Sequence, residues 1–428
     1  MRVFLKSYGC SANQADSEVL LGCLAKAGYK SVDSASEADV VVVNTCAVKG
    51  PTENRVLEFL KRVPRGKKIV VAGCLPLTSF ERLSRDARFD GLVGPAFGED
   101  IVTVVERVMA GKRVVALDTA LESKPSLSLP RLRSNSVVSV IPINYGCLGS
   151  CAYCCVVFAR GRLRSYNLEE ITDRLREDLA AGAKEFWVTS QDLACYGRDV
   201  GTNLVELLET LVNVEGDFRI RVGMMTPNMV IDIADDLVAV FKNAKVFKFL
   251  HLPVQSGDDG VLKRMRRCYT VQEFKEIVSA FRTAFSEVTL ATDVICGFPG
   301  ETQDAFENTL KLVKEVKPDI VNISKFFPRP KTAAALMQNE FLEPAEIKRR
   351  STAAAKLAKR ITFERNQRWL DWTGEVLIDE RGKVPGTWIG RNFVYKPVAV
   401  KSPQNLLGET LNVRVVKAFS SHLSGAIC

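Results

Sequence analysis

Histidine is scarce in this sequence: only two of its 428 residues are histidines, His251 and His422. Chemistry built on a histidine base and histidine-rich metal sites are therefore poor interpretations. Long apolar runs are also lacking, since the densest of them, Val40 to Val43, is far too short to span a bilayer. Arg2 and Lys6 interrupt the short apolar stretch at the amino terminus, which does not have the pattern of a signal peptide. We expect a cytoplasmic protein without membrane association.

Heptad repeats and low-complexity tracts are absent too, which disfavours coiled coils and long disordered segments. The length, with 46% hydrophobic residues, is sufficient for two or three domains with packed cores. What the sequence has in excess is cysteine, twelve residues in all. Several cysteines lie in short clusters, which in a reducing compartment indicates metal binding or catalysis rather than a disulfide framework.

Positive charge is concentrated near the carboxyl terminus. Residues 345–428 carry 15 Lys and Arg against 7 Asp and Glu, so the first 344 residues hold only +1 of the net charge of +9. A basic region of domain size predicts a polyanionic partner, of which nucleic acid is the usual one. The alternative is a surface that only improves solubility.

Residues 1–117 alternate short β-rich runs with helical stretches, which predicts a parallel sheet covered by helices. The predicted strands are VFLKSYG, DVVVVNT, KKIVVAG and a weaker FDGLVG, and the predicted helices are Asp16–Ala27, Glu53–Arg62, Phe80–Ser84 and Asp100–Met109. Residues 118–135 contain Ser, Pro and scattered charge with little periodicity, and we expect them to form a linker.

Residues 136–368 contain a second strand–helix series. The candidate strands are VVSVIPIN, EFWVTS, RIRVGMM, VFKFLHL, VTLATDVI and IVNISKFF, with helices at Leu168–Ala181, Leu204–Val212, Ile231–Lys242, Val271–Phe285 and Thr302–Val316 and a basic helical extension at Ala345–Trp369. Six such units fit a partial barrel better than an open sheet. Residues 369–428 have short β runs with Gly and Pro turns, which predicts a small barrel of the OB-like kind.

The strongest motif is Cys147-Leu-Gly-Ser-Cys151-Ala-Tyr-Cys154, which directly follows a predicted strand. Three thiolates at this spacing can hold three irons of a [4Fe–4S] cluster and leave the fourth iron open to a ligand. A structural zinc site is the alternative, but it would need a fourth Cys or His at similar spacing, and the adjacent Cys155 cannot easily reach the same metal. Buried apolar cysteines are a poor interpretation of three thiols beside glycines.

Three more cysteines follow three predicted strands of the first domain: Cys10 ends the first, Cys46 the second and Cys74 the third. The carboxyl ends of neighbouring parallel strands face one crevice, so these thiols can converge although they are far apart in sequence. Each of them alone would be interpreted as a core residue. Three at equivalent positions predict a second cluster with an open iron.

The combination of motifs resembles the radical S-adenosylmethionine methylthiotransferases. The shared patterns are Gly9-Cys10-Ser-Ala-Asn13-Gln-Ala-Asp16-Ser-Glu18, Asn44-Thr45-Cys46 and Gly73-Cys74 in the first domain, and the Cys147 loop, Ala159-Arg160-Gly161, Gln191-Asp192, His251-Leu-Pro-Val-Gln255-Ser256-Gly257 and Asp293-Val-Ile-Cys-Gly-Phe-Pro-Gly-Glu301 in the second. This resemblance covers essentially the whole chain. It implies an α/β protein with a flavodoxin-like first domain, a partial (β/α)6, TIM-like radical-SAM barrel and a carboxy-terminal β-barrel of the TRAM kind.

The resemblance also implies cofactors and residue roles. Two [4Fe–4S] clusters are expected, one on Cys10, Cys46 and Cys74 that holds the sulfur to be transferred, and one on Cys147, Cys151 and Cys154 that cleaves S-adenosylmethionine to a radical. Contacts to S-adenosylmethionine are expected from Tyr153, Gln191, Gln255, Ser256, Asp293, Ile295, Gly297 and Glu301. Contacts to the substrate are expected from Asn13, Arg160 and Asp192, with a structural ion pair as the alternative role of Arg160.

Two segments resemble the threonylcarbamoyladenosine branch of this family in archaea and eukaryotes: Thr189 to Asn203, and Ser7-Tyr8-Gly9-Cys10. That branch implies a tRNA anticodon stem-loop as partner, an external electron donor and a sulfur source. The alternatives are methylthiolation of isopentenyladenosine in tRNA or of an Asp in a ribosomal protein. A different class, a non-catalytic RNA-binding iron–sulfur redox sensor, is disfavoured because all six cluster cysteines are intact.

Overall fold

The computed structural model describes residues 1–48, 50–95, 97–117, 121–122 and 124–428. Residues 118–120 and 123 of the expected linker lie outside the described residues. The described chain forms, in order, an α/β sheet, a parallel strand–helix barrel and a closed, mostly antiparallel barrel in which only β17 and β19 pair in parallel. Every helix in these ranges is too short or too polar for a transmembrane span.

The amino-terminal domain is a six-stranded parallel sheet with helices on both faces. Its elements are β1 (Arg2–Ser7), α1 (Ser11–Lys26), β2 (Lys30–Ser31), β3 (Val40–Thr45), α2 (Gly50–Arg62), β4 (Lys68–Gly73), α3 (Leu75–Thr78), α4 (Phe80–Asp86), β5 (Gly91–Val93), α5 (Ile101–Met109) and β6 (Val114–Ala116). The strand order is β2-β1-β3-β4-β5-β6. The predicted strands and helices are present, whereas the short β2 and β6 had no recognisable sequence pattern.

Strand β3 shows why this sheet is buried on both faces. Val40 and Val42 pack into the hydrophobic core on one face, and Val41 and Val43 pack into the core on the other. A continuous apolar run is typical of a parallel strand covered by helices on both sides. The strand order reverses between β1 and β3, and the carboxyl ends of the strands at such a switch point form the usual ligand crevice.

The second domain is a partial barrel of six parallel strands. Its elements are β7 (Val138–Pro142), β8 (Asn144–Tyr145), α6 (Val156–Arg160), β9 (Arg164–Ser165), α7 (Leu168–Ala180), β10 (Glu185–Thr189), α8 (Leu204–Val212), β11 (Arg219–Val222), α9 (Pro227–Val230), α10 (Ala234–Phe241), β12 (Phe249–His251), α11 (Asp259–Arg264), α12 (Val271–Ala284), β13 (Thr289–Cys296), α13 (Gln303–Val316), β14 (Ile320–Lys325) and α14 (Pro344–Gln367). Strands β7, β10 and β11 form one parallel sheet, and β12, β13 and β14 form another. Parallel bridges from Ile220 to Val246 and from Met224 to His251 join the two.

All six predicted barrel strands are present, and one predicted helix begins three residues later than expected. Instead of a single helix from Ile231 to Lys242, a 3-10 turn at Ile231–Ile233 separates α9 from α10. Asp235 and Asp236 lie in the first turn of α10. Negative side chains stabilise a helix at this end, where the backbone N–H groups are unpaired.

The carboxy-terminal domain is a closed five-stranded barrel. Its strands are β15 (Thr373–Arg381), β16 (Thr387–Arg391), β17 (Pro397–Lys401), β18 (Thr410–Ala418) and β19 (Leu423–Ile427), arranged in the order β15-β16-β17-β19-β18. The last strand was not predicted, because its small residues Ser424, Gly425 and Ala426 give it little β propensity. Lys396 anchors this barrel to the central domain by pairing with buried Asp319, the residue before β14, with 2.9 Å between Nζ and Oδ1.

Candidate active site

Three cysteines, here called the strand-end cysteines (Cys10, Cys46 and Cys74), follow three adjacent strands of the amino-terminal sheet. Cys10 lies between β1 and α1, Cys46 directly follows β3, and Cys74 lies between β4 and α3. Because β1 pairs with β3 and β3 pairs with β4, the three strand ends are neighbours. Burial, and then the charges of the neighbouring thiols, raise the pKa of Cys46 and Cys74, to about 12 for Cys74. The structure thus brings the three thiols together.

Asn13 connects the loops that carry the strand-end cysteines. Its Nδ2 donates to the carbonyl oxygen of Thr45 at 2.8 Å, and the Cys10 thiol donates to its Oδ1 at 3.5 Å. The backbone N–H of Cys74 donates to the same Thr45 carbonyl at 3.0 Å. Asn13, which we expected to contact the substrate, therefore holds the crevice in shape.

A second group, here called the loop cysteines (Cys147, Cys151 and Cys154), lies between β8 and α6. This loop is at the carboxyl end of β7, the side where barrel enzymes place their chemistry. The Gly149 N–H donates to Cys147 Sγ at 3.2 Å. A Cβ at Gly149 would lie 3.3 Å from Cys147 Sγ and 3.7 Å from Cys151 Sγ, so a large side chain at this position would crowd the two sulfurs. Such a cradle fits a cluster held by thiolates.

Two groups outside the motif act on the loop cysteines. Arg267 Nη1 donates to Cys151 Sγ at 3.2 Å, and a charged donor of this kind stabilises a thiolate. A hydrogen bond from Cys195, followed by smaller effects, lowers the pKa of Cys147. Cys195 itself is fully buried.

The spacing of the thiols bears on the zinc alternative. Among the described residues, no three His, Cys, Asp or Glu side chains converge on a point that one metal ion could fill. The thiolates of a [4Fe–4S] cluster each bind a different iron, whereas the ligands of a structural zinc all bind one ion.

The segments that carry the two groups of cysteines are in contact at the interface between the sheet and the barrel. Cys155, the residue after the loop cysteines, donates its thiol to the carbonyl oxygen of Ala47 at 3.5 Å. Ala47 itself follows Cys46. Cys155 also packs in a small buried cluster with Ala47, Cys74 and Ala159. The structure thereby places the two predicted cluster sites on opposite sides of one contact.

Arg160 extends from the barrel towards the strand-end cysteines. Its side chain is 2% exposed, and its Nη2 donates to Asp16 Oδ2 at 2.5 Å and to Asn13 Oδ1 at 3.3 Å. The Tyr145 hydroxyl donates to the other carboxylate oxygen of Asp16. The structural ion pair that was an alternative role for Arg160 is therefore present.

Two further contacts fix the domains against each other. Arg329, which follows β14, pairs with Glu53 of α2, with 2.6 Å between Nη1 and Oε2, and both side chains are buried. The hydroxyl oxygens of Ser11 and Thr189 lie 2.6 Å apart. These two contacts between the domains fix the relative position of the segments that carry the two cysteine groups.

Several residues expected to contact S-adenosylmethionine lie at the carboxyl ends of the barrel strands. Tyr153 and Ile295 pack in one hydrophobic cluster. Gln255 has a φ of 69° and joins β13 through its backbone, donating to Asp293 O at 2.8 Å and accepting from Ile295 N at 3.0 Å. Gln191 Oε1 is buried and has no hydrogen-bond partner within the described chain. An unpaired buried acceptor fits a polar ligand bound at this end of the barrel.

Other expected contact residues are engaged within the protein. Glu301 accepts from the Gly297 N–H at 2.8 Å and pairs with Arg350 of α14 at 2.9 Å. Asp192 caps the 3-10 turn after β10, and the Ser256 hydroxyl accepts a backbone N–H at 3.3 Å. These bonds hold the turns that surround the loop cysteines.

Sequence reasoning missed Arg267 and the position of Cys155. Arg267 belongs to a basic run after α11, which by itself would be interpreted as a solvated helix end. Cys155 was set aside because it cannot reach the metal of Cys154. No motif marks either residue, since both contacts join segments that are distant in sequence.

Comparison with known proteins identifies the family. A model of the radical SAM superfamily matches residues 141–313, and one of the uncharacterized protein family UPF0004 matches residues 2–94. A probable threonylcarbamoyladenosine tRNA methylthiotransferase of Pyrococcus horikoshii is 40% identical over 429 residues, covering 100% of this chain and 99% of the relative. The chain belongs to the threonylcarbamoyladenosine tRNA methylthiotransferase family. The Homo sapiens member is 35% identical and covers 99% of this chain and 73% of its own length. The predicted resemblance is confirmed.

Solved structures share the fold of this methylthiotransferase family member. The radical S-adenosylmethionine methyltransferase TsrM from Kitasatospora setae has a TM-score of 0.54 at 16% identity, covering 78% of this chain and 74% of that one. The cobalamin-dependent enzyme OxsB also has a TM-score of 0.54, at 14% identity, covering 81% of this chain and 56% of that one. At such identities the likeness concerns the fold alone, and it agrees with the predicted α/β architecture.

A basic groove lies between α14 and the turn that joins β18 to β19. The groove is open, with a volume of about 530 Å³. The rings of Phe419 and His422 stack there, with centroids 4.5 Å apart and 9° between their planes. Its lining consists of three cations, one further aromatic residue and the segment with the stacked rings: Lys356, Lys359, Arg360, Phe363 and residues 419–422. Cations beside aromatic rings suit the backbone and bases of single-stranded nucleic acid.

Proposed function

We propose that this chain transfers a methylthio group to N6-threonylcarbamoyladenosine next to the tRNA anticodon, forming the 2-methylthio derivative. The observation that carries the proposal is the contact of Cys155, next to the loop cysteines, with Ala47 and Cys74 of the strand-end site. The names of full-length relatives in Pyrococcus horikoshii and Drosophila melanogaster, 40% and 37% identical, support the choice of substrate.

In this proposal each group of three cysteines holds one [4Fe–4S] cluster. Three thiolates leave one iron free for an external ligand, which suits sulfur at the strand-end site and S-adenosylmethionine at the loop site. When bound, the two clusters and two molecules of S-adenosylmethionine per turnover supply the sulfur and radical chemistry of the reaction. The reaction also needs an external electron donor and a sulfur source.

The residues of this chain orient these groups and exclude water from between them. The N–H groups of Gly149 and Arg267 point at the sulfurs of Cys147 and Cys151, and such donors favour the thiolate forms that bind iron. Cys155 closes the contact between the two sites with a neutral thiol, because burial raises its pKa to about 11.

The basic groove supports RNA as the partner. Phosphate contacts require Lys and Arg, and an anticodon loop offers unstacked bases that aromatic side chains can receive. Within this proposal residues 1–117 carry the first cluster, residues 136–368 carry the second, and residues 369–428 together with α14 contact the tRNA.

The proposal is tested by mass spectrometry of nucleosides from tRNA incubated anaerobically with the reconstituted protein, S-adenosylmethionine, sulfide and a reductant. One sample of tRNA carries threonylcarbamoyladenosine and another carries isopentenyladenosine. A methylthio mass gain on threonylcarbamoyladenosine alone is expected. It should disappear in Cys10→Ala and in Cys151→Ala and persist in Cys428→Ser, which changes an exposed cysteine outside both sites.

Other outcomes would contradict parts of the proposal. A gain on isopentenyladenosine alone would replace the substrate. Formation of 5′-deoxyadenosine without a gain on either nucleoside would keep a radical enzyme and remove the substrate. A protein that binds iron and the tRNA but forms neither product would favour the redox sensor.

A further inference from the structure

Arg160 has a property that its ion pair with Asp16 does not explain. Its Nη2 serves Asp16 and Asn13, whereas its Nη1 is buried and finds no hydrogen-bond partner among the described residues. A buried N–H without an acceptor loses its hydration and gains nothing in return, so such groups are rare in native proteins. The free Nη1 therefore points to an acceptor that is not part of the protein.

The surroundings of this guanidinium identify the place of that acceptor. Ala159, the residue before Arg160, packs in one buried cluster with Cys74. Asn13 Oδ1 accepts both from Arg160 and from the thiol of Cys10, at 3.3 Å and 3.5 Å. Arg160 thus lies against two of the three strand-end cysteines, although it belongs to the other domain.

Charge balance gives the chemical class of the acceptor. Asp16 pairs with Arg160 through Nη2. A guanidinium has only N–H donors, so a further partner of Nη1 must be an acceptor, and an anionic acceptor is favoured because it pairs with the buried positive charge. The unpaired Nη1 of this guanidinium can donate a hydrogen bond to a further anionic atom at this site. A charge-assisted hydrogen bond of this kind is stronger than one between neutral groups.

We propose that Arg160 completes the strand-end site from the barrel side, where its free Nη1–H binds the anionic sulfur ligand at the position that the three thiolates leave open. This inference rests on the proposed function, which places a cluster on the strand-end cysteines. It makes Arg160 a residue that binds the sulfur to be transferred rather than the nucleoside. The sulfur site is then shared by two domains.

The test uses the full-length protein with Cys147, Cys151 and Cys154 replaced by Ala, so that only the strand-end cysteines can hold a cluster. The protein is reconstituted anaerobically with iron and sulfide and titrated with sodium methanethiolate. Binding is followed by visible absorption and by the electron paramagnetic resonance of the reduced cluster. Arg160→Gln is expected to weaken binding roughly 10- to 100-fold. Arg160→Lys should weaken it less, because the charge remains and the planar fork is lost.

Arg131→Gln is the matched control. Arg131 is also buried and pairs with a buried carboxylate, that of Asp178, but its contacts lie on β7 and α7 rather than at the cysteines. Methanethiolate affinity should not change in this variant. Because Arg160→Gln leaves Asp16 without its partner, the double variant Asp16→Asn with Arg160→Gln is measured too, and iron content and circular dichroism are checked in each.

Equal affinity in the parent and in the Arg160→Gln variants would overturn the inference, as would a parent that does not bind methanethiolate. Loss of iron from both variants, with iron retained in Arg131→Gln, would assign Arg160 to holding the cluster itself and remove its role towards the sulfur ligand. The titration contains no tRNA. Failure to form the methylthio nucleoside, with methanethiolate binding intact, would therefore refute the proposed function and leave this inference standing.

Discussion

Each group of cysteines supplies three thiols, but the chain brings the thiols of the two groups together in different ways. The loop cysteines lie in one short segment after β7, whereas the strand-end cysteines come from three βα units of the amino-terminal sheet. The first arrangement needs only the local course of the backbone. The second exists only when the sheet has formed, because the sheet brings the three strand ends side by side.

Their surroundings differ in the same way. The cation beside the loop cysteines, Arg267, belongs to the same barrel, whereas the cation beside the strand-end cysteines, Arg160, comes from the other domain. Cys46 and Cys74 are also more deeply buried than any of the loop cysteines. The comparison teaches that one site is a local motif and the other is a product of the tertiary structure.

The largest expected effect separates the roles of the two groups. Both Cys46→Ala and Cys151→Ala should abolish formation of the methylthio nucleoside, because each removes a ligand of one cluster. Only Cys151→Ala should also abolish formation of 5′-deoxyadenosine. Liquid chromatography with mass spectrometry measures both products in one sample. Loss of 5′-deoxyadenosine in Cys46→Ala, with the loop cluster still loaded, would contradict this division of roles.

A substitution at Gly149 should affect the loop site alone. A side chain there would occupy the space beside the sulfurs of Cys147 and Cys151, so Gly149→Val is expected to prevent loading of that cluster and to lower bound iron to about half. The melting temperature of the cluster-free protein should not change, because the residue lies in a partly exposed loop. Ser150→Val, at the exposed neighbouring position, is the control and should keep its iron.

The corresponding change at the strand-end site should affect the fold as well. Gly73 has a φ of 93°, and a Cβ there would lie 2.3 Å from Asn44 Oδ1. Gly73→Ala is expected to lower the free energy of unfolding by roughly 1–3 kcal/mol, as measured by urea denaturation, and to reduce cluster loading. Gly66→Ala is the control, since Gly66 has a φ of 91° and nothing near its Cβ position. Equal effects of both changes would show that only backbone strain matters.

The smallest expected effect concerns removal of the clusters. Variants that retain only one cluster are melted before and after treatment with a chelator. Loss of the strand-end cluster should lower the melting temperature by about 2–4 °C for each kcal/mol of stabilisation lost, because that cluster ties together chain segments that are far apart. Loss of the loop cluster should lower it less, since the loop is already short. A larger decrease in melting temperature on loss of the loop cluster would contradict the difference between the two sites.

Much of the fold could be predicted because most of its strands and helices have a recognisable pattern in the local sequence. Runs such as the four valines at residues 40–43 of β3 are continuously apolar, and helical stretches separate these runs, so the strand–helix alternation of both α/β domains was visible. Strands β2, β6 and β19 were missed. The first two contain only two and three residues, too few to establish a period.

The count of charged residues near the carboxyl terminus gave the correct net charge, but it did not show how many of the cations are available to bind a partner. Arg365 and Lys396 pair with Asp319, and Arg391 pairs with Asp379, so part of this positive charge is used within the fold. The exposed cations of the basic groove are the part that remains available. A count of charges cannot make this distinction, because burial depends on packing between domains.

The sequence by itself determined the loop cysteines, since the spacing of Cys147, Cys151 and Cys154 along a short loop limits how far apart their sulfurs can lie. It also determined which residues end the strands. Only the tertiary structure decided that Cys155 lies against Cys74, that Arg267 bonds to Cys151 and that Arg160 reaches the strand-end cysteines. The physical reason is that these contacts join surfaces distant along the chain. Their distances follow from the packing of the barrel on the sheet and not from any spacing in the sequence.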